Sequence, residues 1–125
     1  MKRLALISLV LVMAILSGCS NENQVKAWTM IDNGALVVDV RTPGEFRSGH
    51  LPDAKLIPID QVSARIGEFG QDKTKPIVVY CKSGSRSGNA ERILKSAGFT
   101  NVHNGGGFNA LMSTKKELDS APEKV

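Results

Sequence analysis

Two short apolar runs stand out along the chain, Leu36 to Val40, broken only by Asp39, and Ile77 to Tyr80. Neither alternates with polar residues, so each reads as a strand buried on both faces. The other apolar residues are spaced for helices. Val25, Trp28 and Ile31 share one face of a helix starting at Val25, with Asn33-Gly34 at its stop and Trp28 in the core. Ala90, Ile93, Leu94 and Ala97 mark another, which Gly98 ends. Val62, Ile66 and Phe69 predict a small amphipathic helix, and Phe108, Leu111 and Met112 open a final one. Thr42-Pro43 suits a cap and first helical position, leading into a short helix whose Phe46 packs inward. Leu56 to Ile59 is a short strand ended by Pro58, and Gly70 to Lys75 a polar surface turn. Asn101 to His103 is a brief last strand, and Asn104 to Gly107 a glycine-rich turn suited to close backbone approach. Four or five short strands alternating with helices predict an α/β domain with a mainly parallel sheet, covered on both faces.

The first residues follow a different pattern. Lys2 and Arg3 precede an apolar stretch from Leu4 to Leu16, interrupted by Ser8. It is short for a membrane span, which needs about 20 residues, and suits the core of a signal peptide. Leu16-Ser17-Gly18-Cys19 resembles a bacterial lipobox, which implies lipidation of Cys19 after cleavage. An ordinary cleaved signal or an uncleaved anchor are the alternatives. The expected organisation is a signal peptide at 1–18, a short tether at 19–24, one domain at 25–118 and a frayed tail at 119–125. Such a protein would sit in a bacterial cell envelope and face the periplasm. Ser20, by resemblance to enterobacterial lipoproteins, points to outer-membrane sorting in a Gram-negative host.

The net charge of +4 includes Lys2 and Arg3, and the remaining basic residues form no block. Nucleic acid is not an expected partner. Neither His50 nor His103 has a second ligand at metal-binding spacing, so no metal site is expected, and no cofactor is implied. With Cys19 lipidated, Cys81 would keep the one free thiol. An exported protein with an unpaired cysteine fits a chemical role better than a structural one.

Cys81 ends the Ile77–Tyr80 strand and is followed by Lys82-Ser83-Gly84-Ser85-Arg86-Ser87 and then by the helix. Strand, tight loop and helix place the thiol where open α/β sheets bind ligands. Unpaired amides of the first helical turn, the helix dipole, Lys82 and Arg86 all favour an anion there and a thiol more acidic than usual. A buried structural cysteine is the bland alternative. Asp39, in a buried strand, is either a structural partner for Arg41 or backbone amides, or a support for the Cys81 loop.

Cys81 to Arg86 resembles the active-site loop of rhodanese-type sulfurtransferases. Val37 to Phe46 is similar to the family's upstream signature, as are Gly49-His50-Leu51-Pro52-Asp53-Ala54 with Ile57-Pro58, Ala97-Gly98-Phe99 and Gly105-Gly106-Gly107. Three motifs in order, over roughly Val25 to Met112, make this specific. The resemblance implies the rhodanese fold with a five-stranded sheet. It also implies transfer of a sulfane sulfur from thiosulfate, through a Cys81 persulfide, to cyanide or a thiol. In this reading Lys82 attracts the anionic donor, Arg86 braces the loop, the amides of Ser83 to Ser87 hold the sulfur, and His50 hydrogen-bonds backbone. Many relatives carry a Trp in the last helix where this chain has none. A monomer is expected. The other readings are a persulfide carrier or binding module for a partner protein, and a cysteine phosphatase or arsenate reductase. Those last two families use a longer spacing than the four residues, Lys82 to Ser85, found between Cys81 and Arg86.

Overall fold

The computed structural model describes residues 21–120. Its centre is strand β3 (Ile77–Cys81), with every residue buried. β1 (Leu36–Asp39) lies on one side of it and β4 (Val102–Gly107) on the other. The two-residue β2 (Lys55–Leu56) pairs with the outer edge of β1. All pairings are parallel, in the order β2-β1-β3-β4. Among the described residues the sheet thus has four strands, where the family resemblance implied five.

Parallel strands need crossovers, and these cover both faces of the sheet. Along β3 the side chains alternate. Ile77, Val79 and Cys81 join Val38, Val40, Ala90, Leu94 and Phe99 on one face, beneath α3 (Ser85–Ser96). Val78 and Tyr80 join Ala27, Trp28, Leu51 and Leu111 on the other, beneath α1 (Glu22–Asp32) and α4 (Phe108–Ser120). A strand with no polar face is therefore what this position requires. Trp28 is a core residue, and its indole N–H donates to the Leu111 carbonyl at 2.8 Å.

The expected stop at Gly98 is a left-handed glycine with φ 102°. The Gly98 and Phe99 amides bond back to the Lys95 and Leu94 carbonyls, closing the last turn of α3. Three local expectations change. α1 begins at Glu22, inside the stretch read as tether, and the Asn23 side chain donates to the Asn104 carbonyl at 3.0 Å. The amphipathic helix expected over Val62–Phe69 is instead two 3-10 turns, Ile59–Gln61 and Ile66–Phe69, joined by a hydrogen-bonded turn. Three apolar contacts do not offset the cost of Gly67 inside so short a helix, although Val62 and Phe69 are buried as the spacing required. The glycine-rich stretch is not a turn. Asn104 to Gly107 extend β4, with the register slipping at Gly105 so that Val79 pairs with Asn104 and Tyr80 with Gly106.

Cys19 and residues 121–125 of the expected tail lie outside the described residues. Short α2 (Pro43–Arg47) follows β1 and carries the complete capping box of Thr42 and Glu45. Phe46 on it is half-buried and stacks on the His50 ring, centroids 3.6 Å apart, rather than entering the core.

Candidate active site

β3 delivers Cys81 to the carboxyl edge of the sheet, and the chain turns at once into α3. The turn needs Gly84, whose φ of 96° is left-handed. The neighbouring strand end is just as constrained. A Cβ on Gly107 would stand 2.5 Å from the Lys82 carbonyl oxygen, and one on Gly84 would stand 3.4 Å from Gly106 Cα. The loop and the end of β4 therefore touch backbone to backbone. The glycines serve the close approach expected of them, from within a strand.

The fold closes the loop on the sulfur of Cys81, which is buried. The Gly84 N–H donates to Sγ at 3.0 Å, and the Ser87 hydroxyl lies 3.4 Å away. Burial pushes the thiol up. The Ser87 hydroxyl and the main-chain N–H groups of Ser87, Ser83 and Gly84 more than offset this, so the thiol is more acidic than usual. Hydrogen bonds, rather than the flanking cations, lead the effects that lower it. Ser87 is fully buried, whereas the Ser83 and Ser85 side chains face outward.

Arg86 does not point its guanidinium at the sulfur. It forms a bidentate pair with Glu45 on α2, at 2.8 and 3.0 Å. Glu45 also accepts from the Thr42 N–H at 2.9 Å. The Arg86 guanidinium, with the Thr42 amide, holds the Glu45 carboxyl down at about 2. Arg86 thus ties the loop to the β1–α2 connection, a bracing position. Lys82 is exposed at the rim of a pocket of about 190 Å³, with Arg41, Glu45, Ser48, Phe108 and Asn109. A larger cavity of about 620 Å³ opens at the opposite end of the strands, around Leu36, Pro76 and Ile77, away from the thiol.

Of the two readings of Asp39, its contacts carry the structural one. Its buried carboxylate accepts from the Arg41 backbone N–H at 2.9 Å, from the Arg41 guanidinium at 2.7 Å and from the Tyr80 hydroxyl at 2.7 Å. Arg41 in turn donates to the Gly49 carbonyl at 2.6 Å, and the Leu51 N–H donates to the Tyr80 oxygen at 3.0 Å. Asp39 thus fastens the Gly49–Leu51 segment onto the sheet, and its hydrogen bonds do not reach residues 82–87. Burial, then Asp39, pushes the Tyr80 hydroxyl up, so it stays a neutral donor. His50 pairs through Nδ1 with the Phe46 carbonyl at 2.8 Å, the backbone contact the resemblance implied.

Two residues that hold the site were not singled out from sequence. Glu45 had a signal, the Thr-x-x-Glu spacing of a capping box, but nothing to show that its carboxylate also meets Arg86. Asn104 had none. It sits in a string that reads as a turn, yet its amide bonds to the Gly84 carbonyl, the Ser87 hydroxyl and the Gly106 N–H.

The Rhodanese-like domain family matches residues 23–114. The chain is 37% identical over 78 residues to "Thiosulfate sulfurtransferase PspE" of Escherichia coli, covering 62% of this chain and 75% of that protein. It is 36% identical over 90 residues to "Thiosulfate sulfurtransferase GlpE" of Pseudomonas syringae, covering 71% and 83%. A solved structure, "rhodanese with anions from E. coli", superposes with a TM-score of 0.59 at 36% identity, covering 62% of this chain and 91% of that one. The strand-end thiol, the narrow loop and these likenesses agree, and the chain belongs to the family of rhodanese-like domains.

Proposed function

We propose that the protein is a thiosulfate sulfurtransferase that works through a persulfide on Cys81. The single observation that carries this reading is the position of Sγ, buried within its own loop and made acidic by the Ser87 hydroxyl and the loop N–H groups. A thiolate so placed attacks the outer sulfur of thiosulfate. The new bond joins that sulfur to Sγ, the sulfur–sulfur bond of thiosulfate breaks, and sulfite leaves with the electron pair. The negative charge passes to the terminal sulfur of the persulfide, within reach of the loop amides. Cyanide or a thiolate then takes that sulfur and restores the Cys81 thiolate. No proton has to be abstracted, so Asp39, Glu45 and His50 need no acid–base role.

The pocket at the rim supports a small anionic donor, since Lys82 and Arg41 line it and its volume is only about 190 Å³. Four residues between Cys81 and Arg86 make a loop suited to one sulfur atom and cramped for a tetrahedral oxyanion, which disfavours phosphatase chemistry. The test is intact mass after exposure to thiosulfate. The expected result is a gain of one sulfur atom, removed by cyanide and absent in Cys81→Ser. Hydrolysis of para-nitrophenyl phosphate without sulfur uptake would overturn the reading. A persulfide that forms once but supports no steady turnover would identify a carrier instead.

We infer further that Cys19 carries the lipid that holds the domain at the envelope membrane, on the strength of the Leu16-Ser17-Gly18-Cys19 pattern after an apolar core. Incorporation of labelled fatty acid into the wild type and its loss in Cys19→Ser is the expected outcome; labelling of both would refute it.

A further inference from the structure

The Ser87 hydroxyl has one proton and two acceptors. Asn104 Oδ1 lies 2.7 Å from Ser87 Oγ, and Cys81 Sγ lies 3.4 Å away, a normal length for a bond to sulfur. Ser87 is fully buried, so water does not compete for the hydroxyl. The orientation of the Asn104 amide is fixed by its other partners. Its oxygen faces the Gly106 N–H at 3.0 Å, which requires an acceptor, and its nitrogen faces the Gly84 carbonyl at 3.0 Å, which requires a donor. Oδ1 keeps the Gly106 N–H whichever way the Ser87 proton turns, so giving that proton up leaves no orphaned acceptor.

We propose that Asn104 and Cys81 compete for the single proton of Ser87, so that Asn104 is a positioning residue that sets how firmly the loop holds negative charge on the sulfur. With Cys81 as a neutral thiol, the hydroxyl points to Oδ1. With Cys81 as a thiolate, the charge draws the proton round to Sγ, a charge-assisted bond. By taxing that rotation, Asn104 keeps the thiolate from being stabilised fully. The chemical sense follows from thiol reactivity: nucleophilicity falls as acidity rises, so an attacking sulfur is best held near, not far below, the ambient pH.

The inference rests on Cys81 being the thiolate nucleophile of the proposed function. The test is titration of the Cys81 thiolate by its ultraviolet absorbance, in the full chain carrying Cys19→Ser so that one thiol is present. Removing the competitor with Asn104→Ala is expected to lower the midpoint by roughly half to one pH unit, the worth of one freed hydrogen bond. In a Ser87→Ala background the same substitution is expected to give no such drop. A purely structural Asn104 predicts the opposite sign, because losing its bond to the Gly84 carbonyl loosens the Gly84 N–H that caps the sulfur. A raised midpoint, or an equal change in both backgrounds, would overturn the proposal. A second measurement needs no change at Asn104. The side-chain carbonyl carbon of Asn104, followed by NMR, is expected to shift with the Cys81 midpoint and to stop doing so in Ser87→Ala; a flat response with Ser87 present would overturn it as well. Thiosulfate turnover is read separately on the same chain. Its absence alongside the expected midpoints would refute the sulfurtransferase reading while upholding the shared proton.

Discussion

Replacing Glu45 by Gln separates what braces the active-site loop from what reacts in it. The carboxylate makes two charge-assisted bonds to Arg86, at 2.8 and 3.0 Å, and caps α2 through the Thr42 N–H. Glutamine keeps one acceptor but loses the charge and half of the fork. Charge-assisted bonds contribute about 1.5–3 kcal/mol when shielded, but both side chains are near 30% exposed, at 31% and 29%. Solvent screening brings the expected loss to about 1 kcal/mol, or roughly 4–8 °C in Tm for a domain of this size. The loss should depend on pH in one direction. Glu45 sits at about 2 in the folded protein against an ordinary 4.5, so the folded state binds fewer protons in that interval than the unfolded chain. Its contribution is complete above the unfolded value and disappears as pH falls through the folded one. Urea unfolding at pH 7, 5 and 3 should show a gap between wild type and Glu45→Gln that is constant at the two higher values and narrower at the lowest. Thiosulfate turnover should fall about tenfold as the loop drifts from its reacting geometry, with sulfur still taken up by Cys81. Equal stabilities at pH 7, or a gap that widens in acid, would refute the account of Arg86 as a brace.

Gly107→Ala should cost about 1–3 kcal/mol and abolish turnover, because its Cβ would fall 2.5 Å from the Lys82 carbonyl and must displace the loop; thermal melts and the cyanide assay check this. Asp39→Ala leaves the buried Arg41 unpaired, and a loss of about 3–5 kcal/mol in chemical denaturation is expected. Lys82→Ala should raise KM for thiosulfate several-fold, leave kcat nearly unchanged and weaken the salt dependence of the rate, since Lys82 stands at the rim of the pocket as a point charge.

The chain by itself determined the parts whose physics is local. Ile77 to Tyr80, apolar on both faces, had to be a central strand; Gly98 had to end α3; Cys81 followed by a Gly/Ser loop and a helix had to lie at a strand end with amides turned on its sulfur. Trp28 lies in the core for the same reason, since an apolar helix face is a short-range fact, whereas the backbone contact of His50 was implied by the family resemblance. What only the tertiary structure decided depends on residues far apart in sequence. Arg86 meets Glu45 and Ser87 meets Asn104 because parallel pairing brings β1, β3 and β4 side by side with their carboxyl ends together. The same pairing turned a glycine string that reads as a turn into the end of a strand, where the Lys82 carbonyl leaves no room for a Cβ at Gly107. A sequence pattern records which side chains prefer burial and which backbones must bend. The partner that each polar group finds is set by the crossovers that close the sheet, and those partners, Glu45 and Asn104, hold in place the loop whose own hydroxyl and amides make the thiol acidic.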